Sequence, residues 1–195
     1  PSRLPAAADV VVVGAGMTAA ALAHHLHRLQ PRDAPASCVL LDAAGLAAGA
    51  TGTNGGHLWP NPASDFERAT TAELVAFIHQ SGVDCDLTLL GAAALELRRD
   101  EATYHDDELD PERASAEFAW EGALPEEGSW WDEATCARQL HSEAFASGTH
   151  FPEAYQMHAA KVAGALLRSA TSARLVAPAR ALSIARAEGR EGLRW

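Results

Sequence analysis

The sequence predicts an α/β fold with a parallel sheet, joined to part of an α+β domain. Three observations carry that prediction. Four valines, Val10 to Val13, run straight into Gly14-Ala15-Gly16. An alanine-rich stretch, "MTAAALAHHLHRLQ", follows and stops before Pro31. A second apolar run, "CVLL" at 38–41, then ends on Asp42. Strand, glycine turn, helix, strand and acid stand in the order of a βαβ unit.

Each element has its own reason. A continuous β-branched run suits a strand buried on both faces, as in a parallel sheet. Alanine favours helix, and the residue before a proline disfavours it, so the helix ends near Gln30. The connection "QPRDAPAS" reads as a surface loop. The turn itself spells G-x-G-x-x-A, a variant of the Rossmann dinucleotide fingerprint. Gly14 would permit the tight turn, and Gly16 would let a pyrophosphate approach the backbone. Ala19 would let helix and strand pack closely. The N–H groups of Ala15, Gly16 and Met17 would then face the phosphates at the positive end of the helix dipole. Asp42 lies roughly 20 residues beyond the motif, where a carboxylate binds ribose hydroxyls, and Ala43 follows it. An acid there disfavours the 2′-phosphate of NADP.

A second small-residue stretch follows almost at once: "GLAAGATGTNGGHLWPN", Gly45 to Asn61. Gly49, Gly52, Gly55 and Gly56, with Thr51 and Asn54, present backbone with few bulky side chains. Such a surface can lie against a flat or charged ligand and donate N–H bonds to it. A plain surface loop is the competing reading.

Composition narrows the function classes. The chain has 195 residues, with 26 acidic against 15 basic side chains and a formal charge of -11. That balance repels a phosphate backbone, so nucleic acid is not an expected partner. No apolar run approaches the roughly 18 residues that span a bilayer. Cys38, Cys85 and Cys136 are widely separated and odd in number, which argues against a disulfide framework and for a reducing compartment, the cytoplasm or an organelle interior. The chain opens at Pro1 rather than Met, so a preceding segment with a targeting signal is not excluded.

At this point the chain resembles the D-amino-acid-oxidase-like family of FAD-dependent oxidoreductases, which includes glycine, sarcosine and other amine oxidases. "DVVVVGAGMTAA", the acid of "LLD" and "GATGTNGGHLWP" fall in the family's order. The resemblance implies FAD as cofactor and a small amine or amino acid as substrate. It implies cofactor contacts at Gly14, Ala15, Gly16, Met17, Asp42, Ala43, Ala50, Thr51, Asn54, Gly55, Gly56 and His57. Many members carry arginine where this chain has Thr53. His57 directly follows the glycine stretch, and three readings stay open for it. These are a polar contact at the flavin edge, covalent attachment of FAD, and a structural role. Some relatives attach FAD through a histidine a few residues earlier.

The resemblance continues along the chain. "VDCDLTLLGAAALELRRD" looks like the strands entering the substrate domain, and "WWDEATCARQL" like its short helix. "GTHFPEAYQMHAAKVAGALLRSA" looks like the return to the FAD domain. "RLVAPARALSIARAEGREGLRW" fits two or three further strands. The expected division is 8–82 for the Rossmann-like FAD-binding part, 83–150 for a partial substrate domain, and 151–195 for the return. The family's later half supplies most of the substrate domain, so the chain reads as the N-terminal portion of a longer oxidoreductase. Two functions are therefore carried forward. One is FAD-dependent oxidation of an amine or amino-acid C–N bond. The other is a non-catalytic dinucleotide-binding remnant, and for the 195 residues alone no amine turnover is expected. No catalytic side chain is assigned.

Other residues read as structural. His24, His25 and His27 are expected to be solvated histidines on the helix surface, with no accompanying metal-ligand spacing. "HDDELDPE" (105–112) lacks the alternation and glycine of a calcium loop. Trp120, Trp130 and Trp131 are expected in core packing, with a pocket lining or a loop anchor as the competing reading. "SDFE" (64–67) has capping-box spacing and predicts a helix start.

Overall fold

The computed structural model describes residues 4–31, 33, 35–61, 64–98 and 130–185. They fall into two compact units. The first comprises the described residues of Pro1–Gly56, Ser81–Cys85 and His158–Trp195; the second comprises those of His57–Gln80 and Asp86–Met157.

The first unit is a parallel α/β layer. Strand β1 (Val10–Val13) leads into helix α1 (Met17–Leu29), then strand β2 (Cys38–Leu41) and the single-turn helix α2 (Ala50–Thr53). The predicted strand–turn–helix–strand order is observed. Helix α1 ends one residue short of Gln30, which adopts an extended conformation as expected before Pro31. The chain returns to this unit through helix α5 (Ala159–Ser169) and strand β9 (Ala173–Val176). The sheet order is β1-β2-β9, all parallel, with Val12 opposite Leu40 and Leu40 opposite Leu175.

The main hydrophobic cluster sits on one side of this sheet, and Val39 and Val176 are buried on the other. Ala15, Ala19, Ala23, Cys38, Leu40 and Ala170 are buried together, with Val10, Val12, Leu46, Leu167 and Leu175 packed against them. Helices α1 and α5 pack on each other, and the small side chains Ala20, Ala23 and Ala163 allow a close approach. The sheet departs from the expectation that the valine strand is buried on both faces. Val11 and Val13 are 55% and 58% exposed, while Val10 and Val12 point into the core. The reason is the two-residue period of a strand: alternate valines face the helices, and β1 stands at one end of the described sheet.

The second unit is α+β. Helix α3 (Asp65–Ser81), whose last residue is grouped with the first unit, starts at Ser64, whose Oγ accepts the Glu67 N–H at 3.2 Å. The predicted cap is therefore present. The Glu67 carboxylate, however, takes the Asn61 N–H at 2.8 Å. Strands β3 (His57–Leu58), β8 (Tyr155–Gln156) and β4 (Thr88–Leu89) form one small antiparallel sheet. Strands β5 (Ala92–Leu97), β7 (Phe145–Phe151) and β6 (Trp130–Asp132) form another. Helix α4 (Glu133–Leu140) follows β6 and is capped by Asp132, whose carboxylate accepts the Thr135 N–H. It buries Cys136 beside Gly148 of β7. The stretch 130–140 thus holds a strand as well as the predicted helix.

Two tryptophan expectations resolve differently. Trp131 stacks on His150 with ring centroids 4.9 Å apart, whereas Trp130 is 57% exposed and not in the core. They sit on adjacent positions of β6, so their side chains point to opposite faces. Trp120, the acid run at 105–112 and the strands expected near the end of the sequence from residue 186 onward lie outside the described residues. All three cysteines are buried and free. Among the described residues no helix is long and apolar enough to cross a membrane.

Candidate cofactor site

The first glycine turn is built from both sides. Gly14 donates its N–H to the Leu41 carbonyl at 2.7 Å and adopts φ +103°, a backbone that side chains rarely allow. A Cβ added there would meet nothing within 4 Å, so its requirement is conformational. Gly16 is different. Its φ is -85°, open to any residue, but an added Cβ would lie 3.0 Å from Thr51 Oγ1. The two glycines of the motif are thus needed for separate reasons.

Thr51 explains the crowding. Its Oγ1 accepts the Met17 N–H at 3.0 Å. Helix α1 has no cap from its own preceding side chain, since that residue is Gly16. A hydroxyl from α2 therefore caps it from across the site, satisfying one of the orphan donors of a helix start.

Asp42 holds the other side. Its Oδ2 accepts the Ala15 N–H at 2.9 Å, and its Oδ1 accepts those of Ala44 and Gly45, each at 2.8 Å. The N–H groups of Gly45 and Ala44, and less strongly that of Ala15, hold the carboxyl below the usual carboxylate range. Its backbone is bonded too: Asp42 N–H donates to the Val176 carbonyl at 3.2 Å, and Ala179 N–H donates to the Asp42 carbonyl at 2.7 Å. Three bonds use three of about four lone-pair positions of a carboxylate. An acceptor position remains for a hydroxyl.

The stretch after Asp42 is ordered by its own bonds rather than being a plain surface loop. Ala47 N–H donates to the Ala15 carbonyl at 2.8 Å, and Gly52 N–H donates to Gly49 at 2.9 Å. Gly52 packs so tightly that an added Cβ would sit 2.2 Å from the Ala47 carbonyl oxygen. Asn54 closes α2: its Nδ2 donates to the carbonyls of Ala50 and Thr51, and its Oδ1 accepts the Gly56 N–H at 2.7 Å. Gly56 is buried with φ +73°, while Ala43, Ala50, Asn54 and Gly55 are exposed. His57 is exposed on β3 in the second unit.

The structure thus brings Gly14, Ala15, Gly16, Met17, Asp42 and Thr51 into one bonded cluster. Sequence reasoning missed Ala44, Gly45 and Ala47, which shape that cluster. A signal existed: an Asp followed by small residues and a Gly three positions on is the pattern of an Asx turn.

One sequence expectation is corrected here. His24 is not a solvated surface residue but 8% exposed. Its ring Nδ1 lies 2.6 Å from Ser169 Oγ, and Ser169 Oγ lies 2.6 Å from the Leu166 carbonyl oxygen. His27 meets Ser172 Oγ at 3.2 Å, and His25 is exposed. His24 and His27 lie on the α1 side that meets Ser169 and Ser172, which explains why they are not solvated, whereas His25 is.

The residues fit a dinucleotide at its pyrophosphate and ribose end. A glycine turn with open space before it, a helix start and an acid with a spare acceptor position converge there. The comparisons agree. A family model described as "FAD dependent oxidoreductase" (DAO) matches residues 9–194. Glycine oxidase from Bacillus cereus superposes with a TM-score of 0.65 at 17% identity, covering 93% of this chain and 49% of that one. Iminodiacetate oxidase from Chelativorans sp. BNC1 gives 0.55 at 22% identity, covering 86% and 46%. L-α-glycerophosphate oxidase from Mycoplasma pneumoniae, a structure with FAD bound, gives 0.55 at 13% identity, covering 87% and 44%. The chain therefore spans about half the length of these structures. Among the curated proteins no match was found. With its family model spanning nearly the whole sequence and its glycine turn and acid in place, the chain belongs to the DAO family of FAD-dependent oxidoreductases.

Proposed function

We propose that the first unit holds the adenosine and pyrophosphate end of FAD for the oxidation of a C–N bond in a small amine or amino acid. The observation that carries this reading is the preformed turn at Gly14–Met17, fixed by Asp42 on one side and Thr51 on the other. The helix start at Gly16 and Met17 would offer its N–H groups and positive dipole end to the pyrophosphate. The remaining lone-pair position of Asp42 takes a ribose hydroxyl. Thr51, whose oxygen already accepts from Met17, has its own O–H to donate to a phosphate oxygen. Ala50, Asn54, Gly55 and Gly56 would offer backbone to the rest of the cofactor, and His57 follows them in sequence.

Bound there, FAD supplies acceptance of a hydride from the carbon bearing the amine nitrogen. Water then hydrolyses the resulting imine of the substrate. Glycine oxidase and iminodiacetate oxidase among the matched structures favour an amine or amino acid over other hydride donors.

The test is the visible spectrum of the purified chain, followed by anaerobic mixing with glycine, sarcosine, larger amino acids and polyamines. A retained flavin spectrum supports the cofactor assignment, and bleaching by one of these donors identifies the substrate class. Retained flavin that no donor bleaches leaves the binding reading standing and makes these 195 residues a non-catalytic dinucleotide-binding portion. A chain that neither retains FAD nor binds it on titration would sink both.

A further inference from the structure

The first unit contains a second concavity that neither the glycine turn nor Asp42 lines. It has a volume of about 720 Å³ and lies between α5 and residues 81–84. Its lining is mixed. Leu46 and Gly164 provide an apolar floor, Lys161 and Arg168 provide cations from α5, and Asp84 stands on the facing segment with Gly82.

Both cations stand on α5 and line the concavity. Helical side chains lean toward the helix N-terminus, one turn back from their own Cα. Arg168 does this: a Cβ placed on Gly164 would meet its Nη1 at 3.1 Å. The guanidinium therefore lies against the helix at the level of Gly164, three residues from Lys161. Glycine is unfavourable inside a helix. Here the missing side chain makes room for the guanidinium. Among the described residues the Arg168 guanidinium has no hydrogen-bond or ion-pair partner. On a chain of formal charge -11, this is a local cationic wall. Arginine's planar fork matches the two oxygens of a carboxylate or phosphate. The volume falls within the range of about 300–1,000 Å³ typical of small-molecule sites.

We propose that this cavity binds a small molecule with an oxyanion head, a phosphate or a carboxylate, gripped by Arg168 and Lys161. Asp84 repels a second negative group at the facing wall. The ligand therefore has one anionic end, and its other end is neutral or cationic.

The test is NMR titration of the whole chain with inorganic phosphate, with 4-aminobutyrate, and with sodium chloride at matched ionic strength. The readouts are the Arg168 Nε–Hε signal and the backbone amides of Gly82 and Gly164. A saturating shift with phosphate assigns a phosphate head, and one with 4-aminobutyrate assigns a carboxylate head. Shifts confined to the Gly16 and Met17 amides would report the glycine turn instead and count against the proposal. Arg168→Gln should weaken binding by about tenfold or more, the effect of losing a charge-assisted hydrogen bond. Asp84→Asn should tighten it. Gly164→Ala should weaken it while leaving the helix intact, because the new Cβ displaces the guanidinium. The proposal is overturned if neither probe saturates, if sodium chloride reproduces the shifts, or if Arg168→Gln binds as well as the wild type.

Discussion

Asp42 Oδ2 accepts the backbone N–H of Ala15 at 2.9 Å, tying the end of β2 to the middle of the glycine turn. The same carboxylate also takes the N–H groups of Ala44 and Gly45. The acid therefore shapes the site in addition to any contact it makes with ribose. Asp42→Ala should lower the stability of the cofactor-free chain by about 1–3 kcal/mol, the range for hydrogen bonds to a charged group. Its affinity for FAD should fall in parallel. Asp42→Asn keeps an acceptor oxygen and should do less. Urea unfolding and FAD titration measure both. An Asp42→Ala chain of unchanged stability would show that the three N–H bonds contribute nothing in solution.

The depressed ionisation of Asp42 has a signed consequence. The bonds to Gly45, Ala44 and Ala15 favour the charged form. Their contribution is complete above the ordinary aspartate value of about 3.9 and is lost as pH falls through the lower, folded value. Acid unfolding of the wild type should therefore lose more stability below about pH 4 than that of Asp42→Asn. Parallel acid curves would refute it.

Thr51→Val removes the hydroxyl that caps α1 while keeping the branched shape. The expected loss is about 1 kcal/mol, typical of a helix cap. Gly16→Ala should also destabilise, because its Cβ meets Thr51 Oγ1 at 3.0 Å. Combined with Thr51→Ala, the Gly16→Ala penalty should shrink, giving a measurable coupling in a double-mutant cycle. Strict additivity would mean that the two positions do not meet.

Gly14→Ala tests conformation alone. Its Cβ would have open space, yet the residue would be held at φ +103°. A destabilisation of about 1–3 kcal/mol is expected from such backbone strain, measured by thermal or urea unfolding. A neutral Gly14→Ala would show that the turn relaxes freely.

His24 is held below its ordinary value, first by burial and then by the positive charges of His25, Arg28 and His27. Its folded state favours the neutral ring, so its contribution is complete above the unfolded value of about 6.5 and falls as pH drops below it. Between about pH 6.5 and 5, unfolding free energy should decline in the wild type and decline less in His24→Gln. Equal slopes would assign the pH dependence to other groups.

Much of the first unit was legible because its signals are local. Val10–Val13, the glycine pair, the alanine helix and Cys38–Asp42 each carry a pattern that backbone physics obeys directly. The G-x-G-x-x-A spacing also predicted that the glycines differ in role. What it did not reveal was Thr51 as the neighbour of Gly16, because that contact joins positions 35 residues apart with no periodic mark. The burial of His24 was missed for a similar reason. A histidine on a helix reads as solvated until Ser169 arrives 145 positions later. The exposed valines of β1 escaped prediction because a run of four identical residues hides the alternation that packing imposes.

The pairing of β2 with β9 joins Cys38–Leu41 to Ala173–Val176. A ribosome makes the first partner long before the second. During that interval the apolar side of α1 has no α5 to cover it, and β2 has one neighbour instead of two. The cluster around Asp42 also lacks Val176 and Ala179. The dinucleotide turn is thus encoded near the start of the message but completed near residue 180, after the whole second unit has emerged. Contacts of such long sequence separation slow folding. A chain halted at residue 157 should expose its unfinished helix face to chaperones and proteases. One extended through residue 185 should resist digestion within Met17–Leu29, and pulse proteolysis of the two lengths would time the closure.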